Sequence, residues 1–210
     1  MILDCRAVGS MLLGAARLLA ENADRLSEID SRFGDGDHGI TMNKISRLIA
    51  EQVPLWGDRS LQAFLDDLGM AAMEVKGGSA GPLYGTLISG LGALLEADEK
   101  EVDADGVRRM FAGVLQELGD ITQAQVGDKT MMDALIPAVE AARAAKGDVK
   151  EVLEAAAQAA EAGAKASEGF VAKYGRARSY HEQTIGTPDA GAVSAALFVR
   201  GLAEGLEDIA

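Results

Sequence analysis

Residues 152–170 read VLEAAAQAAEAGAKASEGF, and the spacing of the small and apolar side chains in this run decides the fold class. Val152, Ala156, Ala159, Gly163, Ala166 and Phe170 recur at steps of four and three, the repeat of one face of an α-helix. Alanine has the highest intrinsic helix propensity and no side-chain entropy to lose, so propensity agrees with pattern. The same repeat opens the chain, where Val8, Met11, Leu12, Ala15, Leu18 and Leu19 lie opposite Arg17, Glu21 and Asn22. Between the two, periodicity predicts helices near 41–52, 59–75, 82–97, 104–119 and 128–145, and after them one over 189–207. That makes about eight helices. No stretch holds the β-branched alternation of a strand, so the class expected is all-α.

The punctuation between helices supports this count. Gly57-Asp58 precedes one helix, and Asp103 and Asp148 are expected N-caps. Gly69 and Gly119 are expected where apolar runs end, and Pro137 is expected to kink or restart its helix. The longest stretch without helical pattern, Lys173–Pro188, exceeds an ordinary helix connection and is read as a functional loop. At 210 residues, with no repeat, linker or composition break, residues 1–210 are expected to form a single domain.

Composition narrows the function. A net charge of −13 and a pI near 4.6 argue against nucleic acid as a partner, since no basic surface offsets phosphate repulsion. Cys5 is the only cysteine, so no internal disulfide forms, which suits a reducing compartment. The opening MILDCRAVGSMLLGAARLLAEN lacks a basic n-region and is interrupted by Asp4, Arg6 and Arg17, so it does not read as a signal peptide. No apolar run approaches a membrane span. The expectation is a soluble, cytoplasmic protein with no membrane partner.

Four stretches break the helical monotony. IDSRFGDGDHGITM (29–42) places Asp30, Asp35 and Asp37 in one glycine-rich turn, an oxygen donor set that suits a hard cation such as Mg²⁺. An EF-hand is excluded, because Gly39, Ile40 and Ser46 occupy its fifth, sixth and twelfth positions counted from Asp35. A solvated turn capping the next helix is the bland alternative. KGGSAGPLYGT (76–86) runs into a helix with Pro82 near its start, a favourable phosphate site; a close helix crossing would equally require small residues. VGDKTMMDAL (126–135) offers Lys129 and Thr130 before Met131 and Met132, a pair that suits either core or an adenine face. GRARSYHEQTIGTPDAGA (175–192) brings Arg176 and Arg178 together in a loop, as a phosphate clamp would. Carboxylates repel phosphate, so the four stretches are compatible only with a metal between aspartates and phosphate.

GDGDHG, GGSAGPLYG, GDKTM and GRA…IGTPDAGA resemble, in order and spacing, the nucleotide-binding L subunit of bacterial dihydroxyacetone kinases. The resemblance covers essentially the whole chain. It implies an eight-helix antiparallel up-and-down barrel with Mg-nucleotide, ADP or ATP, held by the loops at one end. It assigns Asp30, Asp35 and Asp37 to the metal, expected as two Mg²⁺ ions. Nucleotide contacts fall on His38, Gly39, Thr41, Ser79, Ala80, Thr130, Met131, Arg176, Asp189 and Gly191, with Arg176 also the catalytic residue. His38 is read as a neutral donor to phosphate or ribose rather than a phosphohistidine.

The implied partners are a K-type subunit that holds the ketose covalently and a phosphohistidine-carrier subunit; a homodimer is left open. Ala190 stands where the family has a proline, and a more flexible lid would favour exchange with free ATP. Two other readings compete. A stand-alone phosphohydrolase or cyclase would turn over without a partner. A regulatory ADP-Mg-binding module would bind without any transfer.

Overall fold

Apolar stripes on successive helices must each find a partner, and in the computed structural model, which describes residues 1–207, they close into a ring. The helices are α1 (Cys5–Glu21), α2 (Ala23–Asp30), α3 (His38–Gln52), α4 (Leu61–Met73), α5 (Ala80–Ala93), α6 (Ala104–Ile121), α7 (Met132–Ala144), α8 (Val149–Ala166) and α9 (Ala190–Glu207). Each long helix packs on the next, α3 leans on both α4 and α5, and α9 returns onto α1. The eight long helices thus form the expected antiparallel barrel around one apolar core.

Several expectations are corrected. α2 is a ninth helix, unseen in the sequence because only Leu26 of its eight residues is buried. Two short strands exist: Leu3–Asp4 (β1) pairs antiparallel with Glu101–Val102 (β2), each too short to show alternation. The buried face of α8 is Val149, Val152, Leu153, Ala156, Ala157, Ala160 and Ala164, whereas Ala166 is exposed. α8 packs on both α7 and α9, so it buries a wider and rotated stripe. α7 begins at Met132 instead of near 128, because Lys129 has φ +62°, outside helical space. Lys173–Pro188 is not structureless: residues Arg176–Thr184 form a 3₁₀ run, broken at His181 (φ +49°).

Gly69 and Gly119 lie inside α4 and α6 and do not end them. Gly69 and Gly85 let α4 and α5 touch backbone to backbone, so the last glycine of GGSAGPLYG serves a helix crossing. The closing seam of the barrel works the same way. A methyl group on Gly14 or Gly205 would overlap the backbone of the facing helix.

Pro137 leaves α7 a single helix. Proline cannot donate to the carbonyl four residues earlier, that of Asp133. This carbonyl abuts Gly163 of α8, where any side chain would collide with it.

In an up-and-down barrel alternate connections share an end. The α2–α3, α4–α5, α6–α7 and α8–α9 connections therefore meet, and they hold the four unusual stretches. Among the described residues no helix is long and apolar enough to cross a membrane.

Candidate functional site

Asp30 ends α2, and Asp35 and Asp37 follow in the turn before α3. The turn is tight. Gly34 N donates to the Asp30 carbonyl (2.6 Å), Gly36 N donates to Asp30 Oδ2 (2.8 Å), and Gly36 adopts φ +75°. As a result one oxygen from each of Asp30, Asp35 and Asp37 lies within 4.8 Å of the others. Burial first, then the neighbouring charge of Asp35, raises the Asp37 carboxyl above its ordinary range. The donor set is all oxygen, clustered and electrostatically strained, and a hard dication would relieve that strain. The residues fit a Mg²⁺ ion.

The α8–α9 loop lies over this turn as a lid. Arg176, two-thirds exposed, makes an ion pair with Asp35. Tyr180 rests against Phe33 with ring centroids 5.2 Å apart, and Arg32 Nη1 donates to Thr187 Oγ1 at 3.4 Å. The expected phosphate clamp is thereby already beside the acidic cluster, with its guanidinium on a carboxylate.

The other predicted residues divide into exposed and structural ones. Ser79 is exposed at the N-cap position of α5 and its side chain caps nothing, as is also true of Asp37 at α3. Ala80 follows as the first residue of α5. First-turn N–H groups there meet the positive end of the helix dipole, where an anion is favoured. Thr41 is buried; its hydroxyl donates to the Asp37 carbonyl (3.2 Å), and its side chain fills the space a Cβ on Gly77 would need. Thr41 therefore sets the α4–α5 loop against α3.

Gly39 is buried against α2, where a Cβ would strike the Ala23 carbonyl. His38 Nε2 is 2.8 Å from Ser194 Oγ, and the ring also bonds the Ala190 backbone, so it is tied to α9. Burial lowers its pKa and favours the neutral ring, partly countered by Asp30. Met131 is buried with its backbone beside Gly191, and the Thr130 hydroxyl accepts from Met132 N at 3.2 Å. Asp189 Oδ2 accepts from Ala192 N at 2.7 Å, capping α9. Burial pushes this carboxyl up to about 7, aided by Asp133 and Asp30 and opposed by Lys129.

Two residues were missed, and Lys129 was noted without its role. Ser194 is fully buried and anchors His38. Asp133 turns back from α7 to accept from Gly127 N and Thr130 N, both at 2.6 Å, which shapes the α6–α7 loop. Lys129 is buried with its Nζ donating to the Ser167 and Thr187 carbonyls, 2.5 Å each. GDKT flags a turn, but no sequence pattern says that its lysine points inward.

The DAK2 domain family matches residues 32–204. The ADP-binding subunit DhaL of PEP-dependent dihydroxyacetone kinase 2 from Listeria innocua is 33% identical, over 99% of this chain and 97% of that one. The corresponding ADP-binding subunit DhaL of Escherichia coli K12 is 30% identical, over 89% and 90% respectively. Among solved structures, the dihydroxyacetone kinase of C. freundii in complex with AMP-PNP and Mg²⁺ superposes with a TM-score of 0.66 at 26% identity. That match takes in 94% of this chain but only 33% of the longer kinase.

Proposed function

Because this chain belongs to the DAK2 domain family, we propose that it is the nucleotide-bearing subunit of a kinase for dihydroxyacetone or a related short ketose. The observation that carries the reading is the cluster of Asp30, Asp35 and Asp37, with oxygens within 4.8 Å of one another beneath an arginine-bearing lid. Residues 1–210 act in this reading as one nucleotide-binding domain. Asp30, Asp35 and Asp37 would hold the metal, as two Mg²⁺ ions, and the metal when bound would neutralise phosphate charge.

The chain's own groups do the rest. Free N–H groups at the starts of α3 and α5, with the Ser79 hydroxyl, take phosphate oxygens. Thr130 and Met131 face the base, and Gly191 lets the α9 start approach closely. Arg176 leaves Asp35 for the charge developing on the transferred group, which is what its planar two-pronged donor suits. His38, held neutral, adds no charge of its own and keeps the α3 start fixed against α9.

The ketose lies outside this chain, on a K-type subunit, so ketose-dependent ADP formation requires that partner. The relatives matched over nearly their full length are PEP-dependent, and the lid is tied at several points. Ala190 sits buried in the first turn of α9 and is not part of a flexible lid turn. These observations favour ADP that stays bound and is rephosphorylated in place by a phosphohistidine carrier, over exchange with free ATP.

Two measurements test the proposal. Calorimetry should show ADP-Mg binding by the wild type, and activity should appear only with a K-type partner. A chase of labelled bound ADP with excess ATP should show retention for far longer than a catalytic cycle. Release within seconds, with turnover on ATP alone, would restore the exchange mechanism. Ketose phosphorylation by the purified single chain would sink the half-enzyme reading.

A further inference from the structure

The backbone of Lys129 is in the left-handed region at φ +62°, a conformation that glycine or asparagine adopts at lower cost. Its side chain is almost completely enclosed, at 4% exposure, although an ammonium is costly to bury. The two costs coincide at a site where the side chain has an evident task. Its Nζ donates to the carbonyls of Ser167 and Thr187, the residues at which the lid leaves α8 and rejoins α9. Between them the chain closes on itself, with Gly186 N donating to the Glu168 carbonyl (2.7 Å) and Asp189 N to Ser167 Oγ (2.9 Å). Burial lowers the lysine's pKa, opposed by the nearby carboxyls of Asp189, Asp133 and Glu168. The preceding residue, Asp128, reaches into the same lid through Lys173: Asp128 Oδ1 pairs with Lys173 Nζ (2.6 Å) and the Asp128 carbonyl accepts from Lys173 N (3.1 Å).

We propose that Lys129 is a positioning residue whose ammonium closes the neck of the lid and couples it to the α6–α7 loop. The coupling half rests on the nucleotide-binding function proposed above, in which that loop meets the base and the lid meets the phosphates. One buried cation then makes the two grips on the nucleotide cooperative. A lid that swings from a pinned neck returns to one place over Asp35; an unpinned one must search for it.

The test uses Lys129→Met, which keeps length and apolar bulk but removes the charge. Lys129→Gly also removes the side chain and relieves the left-handed backbone, which protects against loss of folding. Hydrogen exchange is first measured without metal or nucleotide. The amides of Ala172, Lys173 and Gly186, all hydrogen-bonded within or at the base of the lid, should lose protection by about tenfold or more, the weight of one charge-assisted bond. Amides in α1 and α5 should keep theirs. Unchanged lid exchange in both variants, or an equal loss of protection throughout the barrel, overturns the clamp.

Stopped-flow release of a fluorescent ADP analogue with Mg²⁺ then tests the coupling, with release expected to be faster by about tenfold in both variants. Unchanged release from a variant whose lid exchange has risen overturns the coupling. If the wild type binds no ADP analogue, the proposed function fails, and the exchange experiment still decides the clamp.

Discussion

The two ends of the barrel differ in how consistently they cap their helices. At the end away from the aspartates, α1, α4, α6 and α8 each begin with a side-chain cap: Asp4 accepts from Ala7 N, Ser60 from Ala63 N, Asp103 from Gly106 N and Asp148 from Glu151 N. Asp148 and Glu151 complete a reciprocal capping box. Arg108 closes this end by donating to the Ala145 and Gly147 carbonyls at the exit of α7. At the lid end, α3 and α5 begin with no side-chain cap, although Asp37 and Ser79 are residue types that cap well. There the carboxylates gather with one another, and the glycines at 36, 78, 127, 175 and 186 all have positive φ. One end spends its polar side chains on its own helices. The other caps α9 with Asp189 but leaves the starts of α3 and α5 uncapped, which is how a fold keeps donors and charges for a ligand.

This contrast can be broken by mutation, and the largest effect is expected at the acidic turn. Asp37→Asn keeps size but removes one charge from the acidic cluster, and ADP-Mg affinity should fall on the order of a hundredfold by calorimetry. Thermal stability should not fall with it, because the Asp37 carboxyl is opposed by burial and by Asp35 in the absence of metal. Unchanged affinity would remove the metal bridge from the reading.

A smaller effect is expected in the pH dependence of stability. Asp189 is raised from 3.8 to about 7 in the folded chain, so between these values the folded state keeps a proton that the unfolded state has released. Stability contributed at this site therefore falls as pH rises from about 4 to about 7, and is level above that. Asp189→Asn still accepts from Ala192 N and removes the slope. Urea melts of metal-free protein at pH 5 and pH 8 should show a wild-type loss, relative to the variant, on the order of 2 kcal/mol. Parallel behaviour of the two proteins would mean that Asp189 ionises normally.

Arg176→Lys sharpens the comparison at the lid itself. Lysine retains the attraction to Asp35 but loses the two-pronged donor, so transfer with a K-type partner should drop about tenfold with ADP-Mg affinity nearly unchanged. A full transfer rate would reduce Arg176 to a partner of Asp35. At the opposite end, Asp148→Ala should cost only about 1 kcal/mol of stability, the ordinary value of an N-cap. It should leave nucleotide affinity untouched; a change in affinity would show that the ends are not independent.

Much of the site was legible because its chemistry is local in the chain. Asp30, Asp35 and Asp37 fall within eight residues, so their clustering follows from one turn and needs no tertiary contact. The Asp103 and Asp148 caps were legible for the same reason, each being an acidic residue just before a periodic run. Lys129, Asp133 and Ser194 were not, since each acts on groups whose nearness depends on how loops or helices pack. Gly69 misled, because a glycine that ends a helix and one that admits a neighbouring helix look alike in one dimension.

The sequence by itself determined the helical class, the approximate helix count, the acidic turn and the lid. These depend on a repeat of 3.6 residues and on short-range turn chemistry, both written along the chain. Only the tertiary structure decided that the four motifs lie together. Which connections share an end depends on how many helices run the full length of the barrel between them. α2 shows that not every helix counts: with eight residues it is too short to span, and α1 packs directly on α3. Had α3 been as short, the acidic turn would stand at the far end from Ser79, Thr130 and Arg176. Spanning length and closure are properties of the packed ring, and no local pattern encodes them.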